Sequence, residues 1–360
     1  MNSISTRPGP PSEPLSSPRT RSIAVVVNGR AKSVTNEVIA TLDQILKGGD
    51  LFVSRSVRDA REIAKTLVSR GYDTVLTGGG DGTFTVVVTE VVREARAAGA
   101  VLPRFGLLHL GTGNSLAWVV GASKSIGRGG KGLAADIQRL QEDAGSRSLR
   151  LIEVEGNISP FCGLGADATL VQDYALAKER LSTTILKPLA AGPFSYFVAA
   201  ITKTLPRFLV TEMPHCRVVN RGADAFRVGA KGHVSSDPLG EGAVLYEGPA
   251  RIVALSTIPY YGFGFRMFPF ADEREDRMQL RISTIRTIPF IKNFKEIWRG
   301  SYENSEMIAD FLVEKVSIEM DPPNPFQIGG DPHGMRGEVV AGLMPEAIRI
   351  VDYYAPPSAN

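Results

Sequence analysis

The sequence has little cysteine, no long apolar run and no concentrated charge. Its two cysteines, Cys162 and Cys216, lie far apart and match no metal-ligand spacing, so no thiolate metal centre is expected. Such sparse use of cysteine suits a reducing compartment. No uninterrupted apolar stretch reaches the roughly 18 residues of a membrane-spanning helix, and none is expected. No block of about five like charges occurs. With a net charge of +3, the chain shows no electrostatic footprint for nucleic acid. Three frequent site patterns are also missing: G-x-x-x-x-G-K-[ST], G-x-S-x-G and H-E-x-x-H. A complete G-x-G-x-x-G at the first strand is absent too, which argues against a dinucleotide dehydrogenase. His109, His215 and His233 show no partner pattern. The segment 1–20 is rich in Pro, Ser and Arg and lacks a signal-peptide core, so it reads as a disordered tail on a cytoplasmic protein.

What the chain does have is glycine in particular places. The apolar run Thr74-Val75-Leu76 leads into Thr77-Gly78-Gly79-Gly80-Asp81-Gly82-Thr83. Glycine is costly to order, so four of them around one carboxylate suggest a ligand that approaches the main chain closely. Bare N–H groups at such a turn can cradle phosphate oxygens. A carboxylate among phosphates implies a bridging metal or a proton taken from an attacking hydroxyl. Helix capping is the competing reading of Asp81.

Strand and helix patterns alternate through the first half. Strands are expected at Ile23–Val27, Asp50–Ser54, Thr74–Leu76 and Phe105–His109, and helices at Val34–Leu46, Ala60–Ser69 and Phe84–Ala98. That alternation predicts a parallel α/β sheet, whose ligands bind at the carboxyl ends of the strands. Three loops qualify there: Asn28-Gly29-Arg30, Gly78 to Thr83, and Gly111 to Ser115. Beyond a Gly-rich stretch near Arg147 the pattern changes to short alternating runs, including Arg217–Asn220, Ala250–Ser256, Met278–Ser283, Lys315–Glu319 and Ala347–Val351. These predict an antiparallel β-sandwich, interrupted by helices near 175–179 and 194–203. The expected organisation is therefore an α/β nucleotide-binding domain over 21–147 and a β-rich substrate domain over 148–352. The last segment of the second domain can return to the first, and 353–360 is expected to be a tail.

Taken together, Gly78-Gly79-Gly80-Asp81-Gly82-Thr83 and Leu110-Gly111-Thr112-Gly113-Asn114-Ser115-Leu116-Ala117 resemble the paired signature of the diacylglycerol kinase catalytic family. Cys162-Gly163-Leu164-Gly165-Ala166-Asp167-Ala168 is similar to its G-x-G-x-D-A segment. Tyr261 to Asp272 is similar to its glycine-rich stretch and "P-x-A" motif, and Gln327-Ile328-Gly329-Gly330-Asp331 to the region of its late "D-G-E". The resemblance implies a nucleotide in the cleft between the two domains, ATP and Mg²⁺ as cofactors, and a lipid hydroxyl as acceptor. It implies nucleotide contacts at Asn28, Gly29, Arg30, Lys32, Ser54, Gly79, Gly80, Asp81, Gly82, Thr83, Gly111, Thr112, Gly113 and Asn114. It gives Asp331 as the base and Asp276 as a metal ligand; the loop's own chemistry keeps Asp81 as the other candidate for each role. A lipid acceptor further implies peripheral membrane contact; a homodimer is one allowed assembly.

The sequence departs from the family pattern in three places. Thr85-Val86 stand where Asn-Glu is usual, with Glu90 one helical turn beyond as a substitute; Arg277 follows Asp276; and His333 replaces the late Glu. Two other readings stay open: a kinase for NAD or a soluble polyol, and a non-catalytic nucleotide-binding regulator.

Overall fold

A computed structural model describes residues 22–31, 34–46, 50–111, 114–123, 131–141, 145–173, 208–209 and 211–355. The expected helices near 175–179 and 194–203, Lys32, Thr112, Gly113 and the N-terminal tail lie outside the described residues.

The first half alternates strand and helix as its apolar periodicity requires. In chain order it runs β1 (Ile23–Asn28), α1 (Asn36–Ile45), β2 (Asp50–Ser54), α2 (Val57–Arg70), β3 (Thr74–Gly79), α3 (Asp81–Ala98), β4 (Arg104–His109), α4 (Ser115–Val120), α5 (Lys131–Gln141) and β5 (Ser146–Leu149). β3 is buried along its whole length, as a strand with helices on both faces must be. The sheet order is β2-β1-β3-β4, then the strand Ile348–Val351, then β5. Neighbours from β2 to β4 are parallel.

The last segment takes the alternative left open for it, and the expected tail is corrected. Ile348–Val351, grouped by its alternation with the antiparallel strands, lies in this first sheet, parallel to β4 and antiparallel to β5. Its burial explains why: Ile348, Ile350 and Val351 are fully buried in the core that also holds Val25, Leu76, Phe84 and Phe105. Nor are residues 353–355 a tail. The Tyr353 N–H bonds the Val120 carbonyl, its ring is buried, and the Tyr354 ring covers Gly121.

The antiparallel strands of the second half form one hydrogen-bonded network of eleven. Its centre is the long strand Lys315–Ile328. That strand pairs with Asp331–Leu343 on one side; on the other it pairs first with His215–Asn220 and then with Phe161–Gly165. Register shifts after Glu319 and Pro325 accommodate the change of partner. Val218, Leu255, Leu280, Ile318 and Phe326 share the core around this branch. The two sheets are joined through α3. The Thr89 hydroxyl accepts the Ile158 N–H at 2.8 Å, and the Thr85 and Ser159 hydroxyls lie 3.2 Å apart. Among the described residues, no helix is long and apolar enough to cross a membrane.

Candidate active site

The strand ends of the first sheet do converge. Asn28, at the tip of β1, donates from Nδ2 to the Thr83 hydroxyl at 3.1 Å and accepts the Arg30 N–H at 2.9 Å. The Gly29 N–H bonds the Ser54 carbonyl at 2.8 Å, tying the tip of β2 to the same corner. Gly79 is where it is because the Thr83 side chain occupies the volume a Cβ would need. Gly111 lies against Gly79 and Gly80, backbone on backbone, so no side chain fits there. Gly80 is the open member: a Cβ there would find only the Gly111 Cα, 3.8 Å away. None of Gly78, Gly79, Gly80, Gly82 or Gly111 has a left-handed φ. These glycines serve close approach, not an unusual backbone.

Asp81 does not face this opening. Its carboxylate accepts the Ser115 N–H at 2.8 Å, the Ser115 hydroxyl at 2.9 Å and the Leu116 N–H at 3.4 Å. It thus caps the start of α4 from across the site. Burial pushes its carboxyl above the ordinary aspartate range, and the Ser115 bonds oppose that rise. These bonds tie the β3 loop to the β4 loop and turn the carboxylate, the base or metal ligand expected from the sequence, away from the opening. Its turn toward Ser115 leaves the N-terminus of α3, 18 residues long and capped at Gly80 by no side chain, facing the opening. A helix start of that kind attracts anions.

The second sheet supplies the carboxylate that Asp81 does not. Asp331 sits directly over Gly82, with its carboxylate in the place of a Gly82 Cβ. Gly329 sits over Thr85, one helical turn further along. The turn 329–331 therefore lies along the first turn of α3, and Thr85, in the position of the family's Asn, serves as its seat. Asn114 completes the far wall. It is fully buried at φ +37°, its Nδ2 donates to the Gly111 carbonyl at 2.7 Å, and its Oδ1 has no partner among the described residues.

Behind Asp331 stands a group that the sequence reading did not single out. The Tyr261 hydroxyl donates to Asp167 Oδ2 at 2.7 Å, and Gln327 Nε2 reaches both the Tyr261 oxygen at 2.6 Å and Asp167 Oδ2 at 3.3 Å. Gln327 Oε1 accepts the Gly330 N–H at 2.9 Å, so the group holds the turn that presents Asp331. Burial pushes the Asp167 carboxyl up to about 6, and its Oδ1 has no partner among the described residues. Each member lies inside a stretch already noted for its glycines, and these polar neighbours were the available signal.

The other candidates are elsewhere or otherwise engaged. Glu90, the expected stand-in for the missing Glu, is buried between Arg61 Nε at 3.1 Å and Arg93 Nη1 at 2.7 Å, where it ties α2 to α3. Asp276 is gripped by Arg274 at 3.0 Å and Arg277 at 2.7 Å, and these guanidiniums hold its carboxyl below the usual range. A carboxylate so neutralised is a poor metal ligand. Among the described residues, no cluster of three metal-binding side chains occurs. Ser54 contributes its carbonyl, as above; its hydroxyl turns to the Ser56 carbonyl at 3.1 Å. His333, half-buried beside Phe326, is shifted toward neutrality by burial.

Comparison with known proteins bears on the domain and the fold. Residues 22–143 match the model of the diacylglycerol kinase catalytic domain. A protein named "Probable lipid kinase YegS-like" from Enterobacter sp. (strain 638) is 28% identical over 128 residues, 33% of this chain and 41% of that protein. "Probable lipid kinase YegS" from Escherichia fergusonii is 28% identical over 129 residues, 33% of this chain and 42% of its own length. The match thus spans less than half of these relatives. A solved structure of a diacylglycerol kinase from Bacillus anthracis str. Sterne superposes with a TM-score of 0.57 at 14% identity, covering 95% of this chain and all of that one. Two further structures from that organism give TM-scores of 0.59 and 0.60 at 15% identity. At that identity the likeness is one of fold, and it extends through both sheets. Residues 22–143, which carry the first sheet and the glycine loops, are thus similar to the diacylglycerol kinase catalytic domain.

Proposed function

We propose that the protein is an ATP- and Mg²⁺-dependent lipid kinase. It transfers the γ-phosphoryl group of ATP to a lipid hydroxyl, with Asp331 accepting the hydroxyl proton. The observation that carries this reading is the placement of Asp331 over Gly82, at the positive end of α3. A purely nucleotide-holding site gains nothing from a carboxylate there, since it repels phosphate. A transferase needs one, to orient an acceptor hydroxyl in line with the phosphorus and take its proton as the new O–P bond forms and ADP leaves.

The residues present fit the nucleotide. Gly80 leaves open backbone, the first N–H groups of α3 point to it, and the Asn28–Thr83 pair fixes the rim. They fit a Mg²⁺ ion that arrives on the phosphates, because Mg²⁺ commonly takes one or two carboxylates and completes its shell with phosphate and water. Asp331 stands beside that place and would hold the ion through its water shell, which leaves the carboxylate free to take the proton. Bound there, the ion would neutralise phosphate charge. Asp81 contributes by holding α4 and the two loops in register, which matters because positioning supplies most of the acceleration in phosphoryl transfer.

The test is transfer from labelled ATP, with Mg²⁺, to a panel of diacylglycerol, ceramide, a sphingoid base and NAD. Label in a lipid, lost in Asp331→Asn, is the expected result. Label in NAD would replace the lipid reading by a nucleotide-kinase one. ATP binding with no transfer to any acceptor would make the protein a regulator.

A further inference from the structure

Three of the large apolar side chains exposed on this protein, Ile288, Ile291 and Phe294, fall within seven consecutive residues and are 58%, 57% and 40% accessible. They belong to two short consecutive helices, Thr287–Lys292 and Phe294–Arg299, which project from the second sheet after the strand Met278–Ser283. Exposed beside them are four cations, Arg286, Lys292, Lys295 and Arg299, against one acid, Glu296. Among the described residues none of the four cations forms an ion pair. Exposed apolar groups ringed by unpaired cations suit a surface that is negatively charged outside and apolar within.

The patch is also continuous with the candidate active site. Phe294 packs on Trp298 with ring centres 5.5 Å apart, and Trp298 stacks on Phe265 at 5.2 Å. The next residue back, Gly264, lies against the Trp118 ring, which also meets Tyr260 at 6.2 Å. Trp118 is on α4, the helix that Asp81 caps.

We infer that residues 286–299 are a docking lip for an anionic phospholipid bilayer. Ile288, Ile291 and Phe294 enter the acyl boundary while the four cations engage the headgroups. The aromatic run from Phe294 to Trp118 then borders the path from the bilayer to the glycine loops. The docking claim stands on the lip's own composition; the assignment of that path to an acceptor lipid rests on the lipid-kinase reading.

The test uses the full chain and vesicles of phosphatidylcholine with or without phosphatidylglycerol. The chain has two tryptophans, so Trp118→Phe leaves Trp298, beneath the lip, as the sole reporter. Its emission should shift to the blue on adding anionic vesicles and be quenched by brominated acyl chains, with both signals weakened by salt. In Ile288→Glu/Ile291→Glu/Phe294→Glu, co-sedimentation with anionic vesicles should fall by about tenfold or more, since charges and lost apolar contacts each count against insertion. Activity on a detergent-dispersed acceptor should persist in Ile288→Glu/Ile291→Glu, which leaves the aromatic run from Phe294 intact. Vesicle binding equal to wild type in the triple variant would overturn the inference. So would wild-type protein that ignores anionic vesicles at low salt. If the triple substitution instead converts a dimer to a monomer in the absence of lipid, the occupant is a second copy and the inference falls. Vesicle binding without phosphorylation of any lipid would refute the proposed function and leave the docking lip standing.

Discussion

The two glycine-rich turns that meet at the candidate site use glycine for reasons that only partly overlap. In the β3 turn Gly79 and Gly82, and in the β4 loop packed on it Gly111, have unexceptional backbones, but another group fills the place of each Cβ: Thr83, Asp331 and the opposing main chain. In the late turn, Gly330 has a left-handed φ of +83° and open space around it. The first turn is built by contact; in the second, Gly329 answers to both contact with Thr85 and a left-handed φ, and Gly330 to conformation alone. Similar letters in a motif therefore answer to different physics, and substitution separates them.

The largest expected effect is on catalysis. Asp331→Asn should lower the transfer rate by about 10²- to 10⁴-fold, the usual worth of a positioned base, with an unchanged melting temperature because the residue is exposed. Next come the glycines themselves. Gly111→Ala drives a methyl into the Gly79–Gly80 backbone, which cannot yield, and should cost about 3 kcal/mol or more. Gly330→Ala meets nothing and should cost only the ~1–2 kcal/mol of a left-handed alanine. Urea denaturation of the two variants side by side breaks the comparison if their losses are equal.

Asp81→Ala tests the clamp between the loops. It leaves two buried N–H groups at the start of α4 without their acceptor and should destabilise by about 2–3 kcal/mol, the range for hydrogen bonds to a charged group. Asp81→Asn, which keeps an acceptor oxygen, should lose less and retain activity. A dead but fully stable Asp81→Asn would restore Asp81 as the base.

The support of the late turn is open to a pH test. Burial raises the Asp167 carboxyl from 3.8 to about 6 in the folded protein, so folding favours its protonated form. Its penalty is absent below about pH 4, grows as the pH climbs toward 6, and is complete above that, on the order of 2–3 kcal/mol. Asp167→Asn should flatten that part of the stability–pH curve in thermal melts from pH 4 to 7. An unaltered curve would mean that Asp167 titrates normally. Smallest of all, Asp276→Asn should change stability by about 1 kcal/mol, since its carboxylate is half-exposed and the buried Arg277 keeps the Asp224 and Asp276 carbonyls, and should leave the Mg²⁺ dependence of transfer as it was.

Much of the first region was legible in the sequence, because apolar strands that end in glycine or asparagine announce both a parallel sheet and its ligand edge. Asn28, Ser54, Thr83 and Gly111 come together for that reason alone. Where side chains point was less legible. Asp81 faces Ser115 because β3 and β4 pair with Gly79 opposite His109, a register that no local pattern reveals. Asp331 reached its place through resemblance; bottom-up, Gly-Gly-Asp-Pro is an ordinary turn. The Asp167–Tyr261–Gln327 group spans three distant segments, and only the packing of the second sheet unites them. Asp276 misled because a charged run looks alike whether it holds a metal or its own arginines.

The strand Ile348–Val351 has a consequence for how the protein comes to exist. It fills the slot between β4 and β5, and just beyond it the Tyr353 N–H fastens the C-terminal end of the helix whose start Asp81 caps. Until those residues have been synthesised, β4 has an exposed edge and β5 has no partner there. The half that carries the glycine loops is translated first, yet its sheet is completed among the last of the described residues. A ribosome-bound chain stalled before residue 348 should hold the glycine loops in sequence but not in place.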